Sequence, residues 1–189
     1  LLSKDEMKLY RTICLTVCMF VFCGSINAQK NTVGTLWGLS EIGISYGRVI
    51  KENTFLLTGI HLETGEAFAG RTKMPGAAAS FTWNTIFARK ESGNGNEIRF
   101  FAGPGAAVGY CKDIRLQKSE HGLLGAYFGL KGRLGMEIIY DRKINISICV
   151  APVLGLHIAR DMSGNLLARY YRYGLLQTIM PEIGICYRF

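Results

Sequence analysis

The chain has 189 residues, a formal net charge of +8 and 49 % hydrophobic residues, with 23 glycines against 4 prolines. That is enough chain for one domain, and no stretch beyond residue 28 approaches 18 uninterrupted apolar residues, which argues against a bundle of membrane-spanning helices. Of the six cysteines, Cys111, Cys149 and Cys186 lie beyond residue 28; their odd number and spacing fit neither a disulfide framework nor a metal motif.

In chain order, Met7-Lys8-Leu9-Tyr10-Arg11 is a short basic segment, Ile13 to Phe22 is almost wholly apolar, and Gly24-Ser25-Ile26-Asn27-Ala28 is small and polar. This is the three-part layout of a secretory signal peptide. Its apolar run of about a dozen residues falls short of the about 20 needed to cross a membrane as a helix. Cleavage is expected after Ala28, although Ile26 is not an ideal residue two positions earlier. A lipid-modified Cys23 is disfavoured because Phe22 is large where a small residue is expected. Leu1 to Glu6 precede the expected initiator Met7. The expected division is therefore 1–28, upstream residues and signal, and 29–189, a single folded domain. Lys4, Asp5, Glu6, Lys8 and Arg11 sum to +1, so the domain keeps +7 of the +8.

The domain reads as strands of period two. Six are expected at about 35–49, 54–65, 76–90, 96–111, 123–140 and 144–159. In the first hairpin Ile42, Ile44 and Tyr46 lead to a turn near Lys51-Glu52-Asn53, and Leu56, Ile60 and Leu62 return; Phe55 and Leu57 blur that phase. Ala77, Ala79, Phe81, Trp83, Thr85 and Phe87 then oppose Ser80, Thr82 and Asn84. After a Gly/Asn/Ser link at 90–96, Ile98, Phe100, Ala102, Ala106, Val108 and Tyr110 oppose Glu97, Arg99, Gly103, Gly105 and Gly109. The central hairpin is the most regular. Leu124 through Tyr140 alternates with Gly125, Gly129, Lys131, Arg133, Gly135 and Glu137. A turn at Asp141-Arg142-Lys143 follows, and Ile144 through Ile158 alternates with Asn145, Ser147, Cys149, Ala151, Gly155 and His157. Runs of about 16 residues exceed the 5–6 usual in a soluble sandwich and fit tilted strands that cross a bilayer. Pro104 and Pro152 sit mid-strand, where the missing donor demands a bulge or a break in pairing.

The stretch 166–189 reads either as a last hairpin turning near Gln177-Thr178, which brings the count to eight, or as one long strand. The hairpin is preferred because both chain ends then finish on one side. It places the short turns outside and the longer links (64–75, 112–122, 160–165) inside, the reverse of the usual asymmetry. One long terminal strand plus an extra strand near 30–40 would restore it. The last residues, Ile183, Ile185, Tyr187 and Phe189 alternating with Glu182, Gly184, Cys186 and Arg188, give one greasy face ending on an aromatic residue.

With these residues the chain resembles small outer-membrane β-barrel proteins of the Bacteroidetes type, barrels of the OmpX and OmpA kind. The carriers are the Ala28-Gln29 junction, the Ala102-Gly103-Pro104-Gly105 strand running into Gly109-Tyr110, and the terminal Ile185-Cys186-Tyr187-Arg188-Phe189. The resemblance implies an all-β, up-and-down antiparallel transmembrane barrel of about eight strands, residing in the outer membrane after export. It implies that Ile183, Ile185, Tyr187 and Phe189 form the assembly signal read by the barrel-assembly machinery. Outer-membrane lipid and lipopolysaccharide are the expected surroundings, and a monomer the expected state. Such barrels serve as envelope-structural proteins, adhesins, lipid-A-modifying enzymes or narrow channels, and the fold does not choose among these.

The phase sends Glu41, His61, Glu63, Glu97, Arg99, Lys131, Arg133, Glu137, His157 and Arg188 inward. An eight-stranded barrel is just wide enough for side chains to fill it, so a structural charge network of Glu97, Arg99, Lys131, Arg133, Glu137 and Arg188 is expected, with a polar pathway as the alternative. Catalytic, cofactor and metal residues are not expected. A lipid-A deacylase would place a His and a Ser on one lipid-facing strand, whereas His157 is followed by Ile158 and Ala159 and faces inward. Ser119-Glu120-His121 is a hydrolytic trio by residue type alone, and Gly103-Pro104-Gly105 lacks the Lys and helix of a phosphate loop. A non-enzymatic, envelope-structural or surface-interaction role follows, with a small-solute channel or a lipid-modifying enzyme as alternatives and no nucleic-acid partner. Trp83, Phe87, Phe100, Tyr110, Phe128, Tyr140, Tyr187 and Phe189 suit interfacial belts. Tyr170, Tyr171, Arg172 and Tyr173 cluster less regularly, with an exposed sticky tip for a partner as the minority alternative. Cys149 and Cys186 would adjoin on neighbouring strands if 166–189 is one strand.

Overall fold

The computed structural model describes residues 30–38, 41–64, 76–92, 96–113, 124–160, 164–176 and 181–189. The expected signal segment, Ser119-Glu120-His121 and most of the longer links lie outside them. The described strands are β1 (Asn31–Gly38), β2 (Glu41–Lys51), β3 (Thr54–Glu63), β4 (Gly76–Ser92), β5 (Asn96–Lys112), β6 (Leu124–Tyr140), β7 (Ile144–Val150), β8 (Val153–Arg160), β9 (Leu166–Tyr170) and β10 (Pro181–Arg188), with a short helix, α1 (Arg172–Leu176), before β10. Among the described residues no helix is long and apolar enough to cross a membrane, which says nothing of a barrel.

Every strand pairs antiparallel, and the sheet closes on itself as an eight-stave barrel. Closure runs through β1, which pairs with β2 on one side and β10 on the other. The ends of those two strands are tied by Asn31 N–H to the Phe189 carbonyl (3.1 Å) and Phe189 N–H to the Asn31 carbonyl (2.9 Å).

Two staves are interrupted. β7 and β8 both pair with β6 and keep one register across the break, Leu134↔Val150 and Lys131↔Val153. Pro152 lacks a donor, so the ladder opens there, while its carbonyl still accepts the Gly132 N–H at 2.9 Å. Pro104 leaves a smaller mark: its pairing with Gly132 on β6 persists.

The last stave corrects the expected hairpin at 166–189. β9 pairs with β8 and β10 pairs with β7, both antiparallel, so the segment descends along one course instead of doubling back. The eighth stave comes from the other end of the chain. The expected strand at 35–49 is two strands, β1 ending at Gly38 and β2 beginning at Glu41. The turns at 52–53 and 141–143 therefore share one end of the barrel, here the turn end, with Ser92, Asn96, Asn31 and Phe189. The strand ends at Glu63 and Gly76, Lys112 and Leu124, and Arg160 and Leu166 lie at the other, the link end. This is the asymmetry usual for such barrels, and it replaces the reversed arrangement expected from the hairpin.

The staves differ in height. β4, β5 and β6 have 17 residues each, whereas β1, β2 and β3 have 8, 11 and 10. The tight turn after β6 works without glycine: Asp141 and Arg142 adopt left-handed φ of 48° and 56°, and Lys143 N–H closes on the Tyr140 carbonyl at 3.1 Å. Two such residues in succession match the twist of the flanking strands.

The outer wall is apolar. Ile44, Ile60, Phe81, Val108, Leu130, Ile148, Leu154 and Ile185 are all exposed, along with every aromatic residue expected at the belts. The lumen holds the buried polar and charged residues. This inverts the ordinary soluble distribution.

Candidate functional site

The lumen is built in layers. At the link end α1 folds into the barrel mouth. Asp113, at the end of β5, accepts the N–H groups of Arg172 (3.2 Å) and Tyr173 (3.0 Å) and so anchors the helix start. Tyr171 and Tyr173 are buried instead of forming an exposed tip; Tyr170 alone of the three tyrosines is exposed, at 77 %. Strand alternation explains the split, because Tyr171 falls in the inward phase and Tyr170 in the outward one. The Tyr171 ring stacks on Tyr127 at 4.0 Å between centroids and 8° between planes. Both hydroxyls donate to Glu63 Oε1, at 3.3 and 3.2 Å. Tyr127 lies against Gly109, where an added Cβ would stand 2.4 Å from the ring. His157 is also in this layer. Its Nε2–H donates to the Cys111 carbonyl at 3.0 Å, a bond that carries no acid–base chemistry.

Beneath the tyrosines lies a charged layer drawn from five staves. Glu182 of β10 accepts from Arg133 Nη2 of β6 at 2.8 Å, and its other oxygen stands 3.9 Å from Lys131 Nζ. His61 of β3 pairs through Nε2 with Ser80 Oγ of β4 at 2.8 Å. Its Nδ1 is 3.9 Å from Glu41 Oε2 of β2. The imidazole fits because two glycines flank it. A Cβ at Gly43 would come within 2.7 Å of Nδ1, and one at Gly59 within 2.6 Å of Nε2. Glu41, His61, Glu182, Lys131 and Arg133 are each at most 5 % exposed.

An apolar layer follows. Phe55, Ile86, Phe101 and Cys149 form one buried cluster, with Val49 packed against it. Phe55 and Phe101 meet edge to face at 5.4 Å, and the Arg133 guanidinium lies 5.2 Å above the Phe101 ring. The blurred phase of β3 has its cause here: Phe55 faces inward because this layer of the lumen is apolar. Below it, at the turn end, Arg99 meets Glu97 at 2.6 Å and Glu137 at 3.9 Å, Arg89 meets Glu97 at 2.8 Å, and Asn145 donates to Glu137.

The six residues expected as one network therefore fall into two groups. Lys131 and Arg133 lie in the upper layer. Glu97, Arg99 and Glu137 lie at the turn end, with Arg188 lining the same mouth. The Phe55–Phe101 layer separates them. The partner of both upper cations, Glu182, was absent from the expected network, although its place in the inward phase of β10, in step with Arg188, was a usable signal. Tyr127 and Tyr171 carry the same inward phase, and only Tyr173, on α1, lies where the alternation is broken. Ile183, Ile185, Tyr187 and Phe189 all face outward. Cys149 stands opposite Glu182 and Cys186 opposite Asn145, four residues apart along the stave, so the two cysteines do not adjoin. Both are free thiols; Cys149 contacts Arg133 and Glu182, and Cys186 contacts Ser45.

No family model matches the chain, and no curated protein matches it in sequence. Among solved structures it is similar to the N-terminal β-barrel domain of Pseudomonas aeruginosa OprF, with a TM-score of 0.51 and 12 % identity over 86 % of this chain and 98 % of that one. The likeness is one of fold: an antiparallel closed barrel of eight staves.

Proposed function

We propose that the chain is a monomeric, non-catalytic outer-membrane barrel with an envelope-structural or surface-interaction role. The inverted distribution of side chains carries this reading. Exposed Ile, Leu, Val and aromatic residues encircle the wall, while Glu41, His61, Lys131, Arg133, Glu137 and Glu182 are buried inside. In water that wall is an aggregation liability; in lipid it is the low-energy face, and closure through β1 and β10 and through β5 and β6 pairs the edges of the sheet there. Lipid and lipopolysaccharide are then its immediate partners, and the turn end is periplasmic. The outward row Ile183, Ile185, Tyr187 and Phe189 serves as the signal for the barrel-assembly machinery. The narrower Bacteroidetes-type assignment rests on the junction, strand and terminal motifs of the sequence.

A plugged barrel suits this role better than a channel. Among the described residues, one interior cavity, lined by Leu36, Phe55, Phe101, Arg133 and Glu137 among others, measures about 30 Å³, room for a water or two. The Tyr127–Tyr171 stack and the Phe55–Phe101 pair narrow the lumen above and below the charged layer. A lipid-modifying enzyme would need a nucleophile and base converging on the rim or lipid face. His157 instead points inward onto a carbonyl.

Heat-modifiability tests the first part. Unboiled protein from the outer-membrane fraction should migrate differently from boiled protein in detergent electrophoresis. A soluble periplasmic protein with no shift would overturn the membrane assignment. Planar-bilayer recording tests the second: reconstituted protein should give no steady conductance, and reproducible single-channel steps would favour the channel reading.

A further inference from the structure

We propose that Glu41, His61 and Glu182 form a binding site for one borderline divalent cation of the zinc class, held inside the barrel at the link end. Each offers one ligand atom, and these atoms all lie within 4.8 Å of one another. They come from three successive strands of the closed sheet apart from β1, which lies between β10 and β2. All three side chains are more than nine-tenths buried.

The second observation is what these atoms lack. His61 Nδ1 and Glu182 Oε2 are fully buried and have no hydrogen-bond partner. Both lie within 4.8 Å of Glu41 Oε2, and with His61 Nε2–H donating to Ser80 Oγ the Nδ1 lone pair is turned toward the two carboxyl groups, with Lys131 Nζ the nearest cation, 3.9 Å from Glu182 Oε2. Buried acceptors turned on each other are costly, and a cation among them removes the cost.

The surroundings match those of a ligand set. A metal-bound imidazole ordinarily donates its other ring N–H to a fixed acceptor, which sets its tautomer. Ser80 Oγ at 2.8 Å from Nε2 is that acceptor. Arg133 holds the other Glu182 oxygen at 2.8 Å and so orients the carboxylate. Gly43 and Gly59 fix the plane of the ring. Ligand atoms about 2.0–2.2 Å from a tetrahedral zinc stand roughly 3.4 Å apart. The 3.9 Å between His61 Nδ1 and Glu41 Oε2 closes to that value by a small carboxylate rotation. Lys131 Nζ, 3.9 Å from Glu182 Oε2 and 3.5 Å from Ser80 Oγ, is the internal competitor.

Zinc alone is the probe. Untagged full-length barrel, folded in detergent and stripped with chelator, is dialysed against buffered Zn²⁺ and its metal content and X-ray absorption are measured. The expected result is one zinc per chain with a nitrogen/oxygen shell containing a single imidazole and no sulfur. His61→Gln should remove the imidazole signature and the stoichiometric zinc. Ser80→Ala should weaken binding about 10–100-fold, and Lys131→Met should tighten it. Folded wild-type protein that takes up no zinc overturns the proposal, and Lys131 is then the cation of the layer. Zinc bound equally by His61→Gln, or bound through sulfur, also overturns it, because the metal then sits on His121, His157 or the thiols. Heat-modifiability of each variant establishes folding, and if His61→Gln does not fold, the wild-type stoichiometry and absorption spectrum decide alone.

Discussion

The two charged layers of the lumen are made of the same residue types and solve different problems. At the turn end Glu97 is shared by Arg89 and Arg99, and the group opens to solvent through a mouth of about 360 Å³ lined by Lys30, Lys51, Arg89 and Arg188. Water reaches the charged groups that line this mouth, although Arg99 Nε and Asn145 Oδ1 are buried there without a hydrogen-bond partner. The link-end layer is buried, with the Tyr127–Tyr171 stack above it and the Phe55–Phe101 pair below. There each polar atom needs a protein partner, and Glu63 Oε2, Glu182 Oε2 and His61 Nδ1 lack one. Burial thus turns an ordinary salt-bridge cluster into a site with unspent capacity for a cation.

The comparison breaks most sharply at Arg133. Arg133→Met strands Glu182 in the buried layer and should cost about 3–5 kcal/mol, the range for removing one partner of a buried pair. The double variant Arg133→Met/Glu182→Gln should recover much of that loss. Urea midpoints of the folded, heat-modifiable form in detergent measure both, and equal losses in the single and double variants would show that the pair is not what Arg133 supports.

The Phe55–Phe101 layer is tested next. Phe101→Ala opens the apolar layer and should destabilise by about 3–5 kcal/mol, as buried Phe→Ala changes do. It should also join the two charged layers by water, read as hydrogen exchange along β5 and β6 that is faster than in wild type. Unchanged exchange would mean that the Phe55–Phe101 pair does not isolate the upper layer.

Tyr171→Phe removes one of the two donors on Glu63 and keeps the stacked ring. A hydrogen bond to a charged group is worth about 1.5–3 kcal/mol, so a loss in that range with an unaltered fold is expected from the same unfolding measurement. The smallest effect belongs to the open end. Arg89→Ala breaks a partly solvated pair and should cost no more than about 1 kcal/mol, and that cost should shrink at high salt while the Arg133→Met cost does not. A large, salt-independent Arg89 effect would erase the distinction between the two ends.

Alternation of period two was enough to read the antiparallel barrel, the inward set from Glu41 to Arg188, and the outward aromatic residues. One strand phase decides both faces at once, because successive side chains must point to opposite sides of a sheet. The same rule places Glu182, Cys149 and Tyr171 inward. What alternation could not decide is distance across the lumen. Lys131 and Arg133 share a phase with Arg99 and Glu137, yet the tilt and register of the closed sheet put a phenylalanine layer between them. Nor could it decide the course of 166–189. A break at α1 reads locally like a turn, and only pairing of β9 with β8 and of β10 with β7 shows a single descending stave. The fold is legible in the sequence because its signal is local and repeated. The buried carboxylate–histidine layer is decided by tertiary structure, because Glu41, His61 and Glu182 meet only when the barrel closes through β1.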